Sequence, residues 1–269
     1  MATLREPAVA GRFYPANPEK LRGDIVSYIS PQTKREPAIG CLVPHAGYMY
    51  SGQVAGAVFS KVEIPPRCII LCPNHTGHGH PLAIMKEGAW RTPLGTLPID
   101  SDLAEALLLA FPALTEDSAA HRSEHAIEVE LPFLQVLSPD VKFVPVAIGT
   151  GQLLILEHLG KALARVIQAS AEPVLMIASS DMNHYEDDAT TRVKDGKAMD
   201  KILALDPSGL YETIMNESIS MCGFGPTVAM LTAAKQLGAK KAELVLYATS
   251  GDVSGDRDMV VGYAGMIVQ

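Results

Sequence analysis

The chain has 269 residues, of which 48% are hydrophobic and 19% are charged, and its formal net charge is −8 at pH 7. This length and apolar content suffice for a sizeable buried core and predict a globular protein. The acidic balance, without a basic run of Lys and Arg, argues against a nucleic-acid partner and against binding to an anionic membrane surface.

Short apolar runs and longer helical patterns alternate along the chain. In chain order, the predicted elements are strand 39–43, helix 52–61, strand 68–72, helix 101–111, helix 127–137, strand 142–148, helix 153–169, strand 174–178, helix 190–205, helix 227–237, strand 243–248 and strand 260–268. Most of the strands are apolar on both faces, as expected when helices cover both sides of a sheet.

This alternation predicts the fold class. It favours an α/β protein with a largely parallel or mixed sheet in a three-layer αβα sandwich. The sequence shows no internal repeat, low-complexity tract or linker, so we expect a single domain over residues 1–269.

Histidines follow three of the predicted strands. The first, second and fourth strands lead into loops that carry His45, His75 and His184. The carboxyl ends of parallel strands form the edge where ligands bind, and neutral imidazole is a common ligand of Zn, Fe and Cu. We therefore predict a metal-binding pocket around His45 and His75. If only one of the two histidines followed a strand, it would be interpreted as a loop histidine with local hydrogen bonds. His78 and His80 are interpreted as loop surface, with metal binding as the alternative.

A third metal ligand could come from either of two segments, one with Asp181 and His184 and the other with Cys222. Asp181 and His184 are three residues apart in a segment predicted to begin a helix, so both could face one cleft; alternatively, Asp181 caps that helix. Cys222 lies in a turn before helix 227–237, where a helix N-terminus lowers the pKa of a thiol and favours thiolate. Its alternative is a small buried residue in a tight turn. The other three cysteines lie inside predicted strands and are interpreted as core residues.

Residues just before the predicted helix 127–137 offer acid/base groups. His125 could act as a general acid or base, and Glu124 could instead be a capping carboxylate. His121 and His158 are interpreted as solvated surface residues.

Several absences narrow the function and the location. No GxGxxG follows a strand, and GxxxxGK[ST], HExxH and GxSxG are missing, so common nucleotide-binding loops and α/β-hydrolase chemistry are unsupported. The chain shows no secretory signal and no apolar stretch of the roughly 18 residues that a membrane span needs. Its four cysteines form no CxxC pair, which is typical of reduced thiols. We expect a cytoplasmic protein.

A series of short motifs resembles those of one family. They are 8–15 (AVAGRFYP), 44–48 (PHAGY), 51–52 (SG), 73–75 (PNH), 90–95 (WRTPLG), 124–128 (EHAIE), 131–133 (LPF), 179–181 (SSD) with His184, 222–223 (CG) and 261–264 (VGYA). In this order they resemble the Memo family, called component B of the AmmeMemoRadiSam system in microbes. The resemblance covers essentially the whole chain.

The resemblance implies a metal site. The Memo family resembles, in fold, the class III extradiol ring-cleavage dioxygenases, which hold non-haem Fe(II) with two histidines and one carboxylate. By this resemblance His45 and His75 match the two histidine ligands, His125 and His184 match positions near the active centre, and Cys222 stands in place of the carboxylate. A thiolate makes the site softer, so copper or an iron site with altered chemistry is expected, with Zn as the alternative, and ring cleavage is no longer implied.

Two functions from different classes follow. The first is a metal-dependent oxidoreductase with a small-molecule substrate, in which His45, His75 and Cys222 bind iron or copper, Asp181 lies close by as a further ligand or catalytic group, and His125 and His184 handle protons. The second is a non-catalytic binding or scaffold protein, with a protein or peptide partner, that retains a dioxygenase-like fold, since a fold does not imply a function and the carboxylate ligand is missing. Metal-assisted hydrolysis is a weaker third.

Overall fold

A sheet of nine strands runs through the protein, whose computed structural model describes residues 3–269. The strands are β1 (Leu4–Arg5), β2 (Gly40–Val43), β3 (Arg67–Pro73), β4 (Leu82–Ile84), β5 (Ala89–Thr92), β6 (Gly95–Pro98), β7 (Thr115–Glu116), β8 (Lys142–Ile148), β9 (Val174–Ser179), β10 (His184–Glu186), β11 (Ala242–Thr249) and β12 (Val260–Val268). The helices are α1 (Pro18–Tyr28), α2 (Tyr48–Lys61), α3 (Ser101–Ala110), α4 (Leu131–Leu137), α5 (Leu153–Ala169), α6 (Asp188–Leu203), α7 (Pro207–Asn216), α8 (Phe224–Gln236) and α9 (Gly251–Ser254).

The large sheet has a parallel centre and antiparallel flanks. Its order is β10-β12-β2-β9-β3-β8-β4-β7, and β11 pairs with β12 outside this path. Strands β2, β9, β3 and β8 are parallel, whereas β12 runs antiparallel to β2 and β4 runs antiparallel to β8. Val43 at the end of β2 is in register with Ser179 at the end of β9. The carboxyl ends of the central strands therefore reach the same edge of the sheet.

Alternate residues of the central strands enter two hydrophobic cores, one on each face of the sheet. Leu42 and Ile69 pack into a core with buried residues of α3, α5, α7 and α8. Their neighbours Val43 and Ile70 pack on the opposite face with α1, α2 and α4. Because both faces of each strand are covered, the strands are apolar throughout. This arrangement confirms the predicted α/β sandwich with helices on both sides of a mixed sheet.

A buried ion pair ties the N-terminal segment to the loop that precedes α4. The guanidinium of Arg5 pairs with Glu128 and also donates to the backbone oxygens of His121 (2.9 Å) and Glu124 (2.7 Å). It lies 4.2 Å from the centre of the Trp90 ring, on β5, which pairs with β1. The two ends of this contact are more than one hundred residues apart in sequence, so it fixes the 121–128 loop by tertiary contact.

Two predicted helix starts are wrong, and each has a local reason. The predicted helix 127–137 begins only at Leu131, because Pro132 is tolerated in the first turn of a helix but not in its interior. No helix begins at Asp181, which therefore is not a helix cap. Instead, His184 pairs with Val261 of β12, and Tyr185 has a positive φ of 61°, which ends any regular helix there.

Other bounds agree closely with the pattern in the sequence. The bounds of β8, α5 and β12 match the predicted ranges. Helices α1 and α7 and the short strands β1, β4 to β7 and β10 were not predicted, since they carry too few periodic residues to stand out. Within the described residues, we find no helix with the combined length and apolarity that crossing a bilayer requires.

Candidate metal centre

Three neighbouring parallel strands deliver polar residues to one edge of the sheet. His45, His75 and Asp181 each lie two residues beyond the end of their strand, β2, β3 and β9 respectively. Since these strands are adjacent in the sheet, the three loops converge. His125 reaches the same place from the loop that precedes α4.

Three histidines form a group that could hold a metal ion. His45, His75 and His125 each offer a ring nitrogen, and these nitrogens lie within 4.8 Å of one another. Their ring centres are 5.1 Å apart for His45 and His75, 5.4 Å for His45 and His125 and 4.8 Å for His75 and His125. His45 is buried, while the other two rings are partly exposed, so the group opens to solvent on one side.

The hydrogen bonds of His45 fix its tautomer. Its Nδ1 lies 2.8 Å from Oγ of Ser179, and that hydroxyl donates its proton to the backbone oxygen of Ala126 at 2.8 Å. The Ser179 oxygen must therefore accept from Nδ1–H, which leaves Nε2 unprotonated. Burial lowers the pKa of His45 well below its ordinary range, and the charges of His75 and His125 lower it further. The ring is thus neutral and ready to bind a metal ion.

Glu124 holds His75 in a similar way. Its carboxylate accepts a hydrogen bond from Nδ1 of His75 at 2.9 Å and further bonds from the backbone N–H groups of His75, His125 and Ala126. A carboxylate only accepts, so Nε2 of His75 keeps its lone pair when the ring is neutral. Burial opposes a charge on this ring, but the hydrogen bond and charge of Glu124 outweigh it and raise the pKa of His75. A carboxylate behind a histidine is a frequent arrangement at metal sites.

Cys222 lies beside His45 but outside the group of three, whose third member is His125 and not the predicted Cys222. Its Sγ is 3.2 Å from Nε2 of His45, and the backbone N–H of Asp181 donates to the sulfur at 3.3 Å. Burial raises the pKa of the Cys222 thiol well above its ordinary value, and the charge of Asp181 adds to this effect. Desolvation outweighs the adjacent helix N-terminus, so the expectation that this terminus lowers the thiol pKa is wrong. The cysteines at positions 41, 68 and 72 are buried in the core, as predicted.

Asp181 and His184 line the same region in different roles. One oxygen of the Asp181 carboxylate accepts the backbone N–H of His45 at 2.8 Å, and burial raises the pKa of Asp181 to about 7. His184 donates from Nδ1 to the backbone oxygen of Ser220 at 2.8 Å, which again leaves Nε2 unprotonated in the neutral ring. It is close enough to His45 to lower the pKa of that ring.

The remaining histidines lie outside the group. His78, His80 and His158 are exposed, in agreement with their interpretation as surface residues. His121 is fully buried against Trp90, so its interpretation as a solvated residue is wrong. Its position follows from Arg5, which binds the backbone oxygen of His121 and draws the loop inward.

Sequence reasoning missed the groups that support the histidines. In the sequence Ser179 stands out only as part of a motif, whereas in the structure its place at the end of β9 brings its hydroxyl within 2.8 Å of Nδ1 of His45. Glu124 was considered a capping carboxylate, and its contact with His75 spans 49 residues of sequence. Such contacts between separate loops leave no periodic signal in one sequence.

Glu130 is a further buried acid near the centre. Both of its carboxylate oxygens are buried and have no hydrogen-bond partner within residues 3–269. Burial raises the pKa of Glu130 well above its ordinary value, against a smaller lowering by the nearby Ser179 hydroxyl, whose proton is directed to Ala126, and the charge of Asp181 raises it further. The folded protein therefore favours the protonated form of this side chain.

Replacing Glu130 by glutamine should raise the free energy of unfolding by about 1–3 kcal/mol at pH 8 and leave it nearly unchanged at pH 4. In the unfolded chain this acid ionises above about pH 4.3, whereas burial favours the protonated form in the folded protein, so wild-type stability falls as the pH rises from there towards the folded pKa. Urea denaturation of wild type, Glu130→Gln and the exposed control Glu212→Gln measures this effect. An equal gain at both pH values would contradict it.

Fold and site together define an α/β protein with a histidine group, suited to a metal ion, at the carboxyl edge of a mixed sheet. The family profile described as Memo-like protein matches residues 5–267, and the chain belongs to this family. It is 43% identical over 282 residues to the MEMO1 family protein MK0963 of Methanopyrus kandleri, covering 98% of each chain. It is 41% identical over 268 residues to a MEMO1 family protein of Methanosarcina mazei, covering 99% of each.

A solved structure shares the fold. The crystal structure of uncharacterized protein JW3007 from Escherichia coli K12 superposes with a TM-score of 0.55 and covers 85% of this chain and 98% of its own. The sequence identity is 14%, so this likeness concerns the fold alone.

Proposed function

We propose that this Memo-family protein is a metal-dependent oxidoreductase that acts on a small molecule at one iron or copper ion. The observation that carries the proposal is the pair of His45 and His75. Each donates Nδ1–H to a fixed oxygen, Ser179 Oγ or the Glu124 carboxylate, and each thereby keeps Nε2 for a ligand. Histidines that bind metals in proteins are usually held in this way.

Cys222 is the third ligand in this proposal. Atoms bound to one ion at about 2.0–2.3 Å lie roughly 3–4 Å apart. The 3.2 Å between Sγ of Cys222 and Nε2 of His45 fits this spacing. The ion would displace the thiol proton that burial otherwise retains. Two imidazoles and a thiolate favour copper, iron or zinc over the harder Mg²⁺ and Ca²⁺.

His125 has the properties of a proton carrier. Its Nδ1 lies 3.4 Å from Oε1 of Glu124, which is longer than the usual hydrogen bond between charged groups. Its ring stacks on the ring of His75, with 4.8 Å between the ring centres. Burial lowers the pKa of His125 although the charge of Glu124 opposes this, so the neutral ring can accept a proton. His184, whose pKa burial also lowers, offers a second base on the other side of His45.

The division of work follows from these positions. A redox metal here supplies electron transfer and open positions for substrate or oxygen. The protein orients the two imidazoles through Ser179 and Glu124, and it holds the His45 backbone through Asp181. His125 and His184 take up or deliver protons at the open side.

Anaerobic reconstitution with Fe(II), Cu(I) and Zn(II), followed by elemental analysis, tests the proposal. We expect about one ion per chain for iron or copper, a reversible change of its oxidation state, and a loss of at least tenfold in affinity on Cys222→Ser, in line with the loss of a ligand. His125→Gln should retain the ion and alter only the pH dependence of substrate-free oxidation. If His125→Gln loses the ion and Cys222→Ser keeps it, the third ligand is His125 and the assignment of Cys222 is wrong.

The alternative is a binding or scaffold protein with an idle pocket. It predicts that reconstituted protein holds neither iron nor copper in stoichiometric amount, and that partner binding is unchanged by His45→Ala. That pair of results would overturn the proposed oxidoreductase.

A further inference from the structure

A cavity of about 660 Å³ is lined by residues that adjoin the candidate metal centre along the chain. The N-terminal segment, Met85 and the loop at residues 118–123 line it. Two neighbours connect it with the centre: Ser123 precedes Glu124, which holds His75, and Arg12 precedes Phe13, whose ring is 4.7 Å from the ring of His125. Arg12 is also close enough to His125 for its charge to lower the pKa of that ring.

The cavity wall carries uncompensated positive charge. Of its charged residues, Arg5 is paired with Glu128, and Glu6 is paired with Arg91 at 3.1 Å. The arginine ion pairs within residues 3–269 are formed by arginines 5, 67, 91, 192 and 257. Arg12 and Arg122 take part in none of them, and both are exposed at the cavity. This local excess is unexpected in a chain whose net charge is −8.

The wall also offers hydroxyl groups and enough space for a small molecule. Ser118 and Ser123 line the cavity next to Arg122. The volume lies within the range of roughly 300–1,000 Å³ that is typical of small-molecule sites. A guanidinium binds the two oxygens of a carboxylate or phosphate side by side, and serine hydroxyls can donate to the remaining oxygens.

We propose that this cavity binds the oxyanion group, a carboxylate or a phosphate, of a small-molecule ligand, with Arg12 and Arg122 as its two cationic contacts. If the proposed oxidoreductase function holds, the substrate is a small organic acid or phosphate ester. Its anionic end binds in the cavity and its other end reaches the ion beside His125. Arg12 is the link between the two sites, since it lines the cavity and acts on His125. Anion binding itself requires no metal.

Calorimetric titration of the metal-free protein tests the anion site at constant ionic strength, with inorganic phosphate and malonate as separate probes. We expect saturable binding of one anion per chain, weakened about tenfold or more by Arg12→Gln and by Arg122→Gln, as for the loss of a charged hydrogen bond. Arg22→Gln is the matched control, because Arg22 is exposed on α1 and does not line the cavity. All three arginines are exposed, so thermal melting should show that the variants fold like wild type.

The probes separate the two ligand chemistries. Binding of phosphate alone identifies a phosphate ester as the ligand class, and binding of malonate alone identifies a carboxylic acid. Binding of neither, or equal weakening by Arg22→Gln, overturns the anion site. A protein that binds the anion but no metal would contradict the proposed oxidoreductase and leave the anion site standing. As a check on location, the bound anion should shift the ring NMR signals of His125 and leave those of His158 unchanged.

Discussion

Replacing Glu128 by alanine should lower the free energy of unfolding by about 3–5 kcal/mol, because it leaves the charge of Arg5 buried without a partner. The side chains of Arg5 and Glu128 are 4% and 0% exposed. The Glu128 carboxylate also accepts hydrogen bonds from the backbone N–H groups of Ala8 (2.8 Å) and Val9 (3.0 Å) and from the hydroxyl of Tyr14 (2.6 Å). One side chain thus satisfies four donors of the N-terminal segment.

Two further variants make this prediction sharp. Glu128→Gln keeps an acceptor oxygen but loses the charge, so its destabilisation should be smaller than that of the alanine variant. Glu243→Ala is the surface control: Glu243 pairs with Lys61 but is 42% exposed, and such pairs contribute about 0–1 kcal/mol. Chemical denaturation measures all three. Equal losses for Glu128→Ala and Glu243→Ala would show that burial of the Arg5 pair does not matter.

Replacing His45 by alanine should lower the affinity for iron or copper by more than about 100-fold, since loss of a supporting hydrogen bond alone costs 10–100-fold. Ser179→Ala removes the support from Nδ1 of His45, together with the hydrogen bond to the backbone oxygen of Ala126, and should fall within the 10–100-fold range. The exposed His158 provides the control, His158→Ala, which should bind metal like wild type.

Competition titrations against a chelator at several pH values measure these affinities. If His75 and Cys222 bind the ion as proposed, their raised pKa values mean that protons compete with the ion for both side chains. The wild-type affinity should therefore increase as the pH rises. An affinity independent of pH, or an equal loss in His45→Ala and His158→Ala, would be incompatible with the assigned ligands.

Much of the central sheet was predictable because its signals are local. The continuous apolar runs of β8 and β12 mark strands covered on both faces, and the long amphipathic pattern of α5 marks a surface helix. The placement of His45 and His75 followed from the same logic, since both come directly after buried strands.

The remainder depends on contacts between distant segments. The position of the loop at residues 121–128 depends on the buried pair of Arg5 and Glu128, which a helical pattern of apolar residues does not reveal. The burial of His121 has the same origin. For Cys222, a general rule on helix ends predicts a lowered thiol pKa, but desolvation raises it instead. The size of the desolvation effect depends on packing that only the folded chain defines.

The order of the strands in the sheet also links metal binding to the fraction of chains that are folded in a cell. Strands β2, β9 and β3 are neighbours in the sheet, yet β9 begins at Val174, long after His45 and His75 have been synthesised. The proposed ligands His45, His75 and Cys222 come together only once β9 and the Cys222 turn have joined the sheet. An ion that binds this complete arrangement and not the unfolded chain draws the equilibrium towards the folded form as its free concentration rises. Metal supply would thereby govern the lifetime of newly made chains as well as their chemistry, with metal-starved chains left more open to proteolysis.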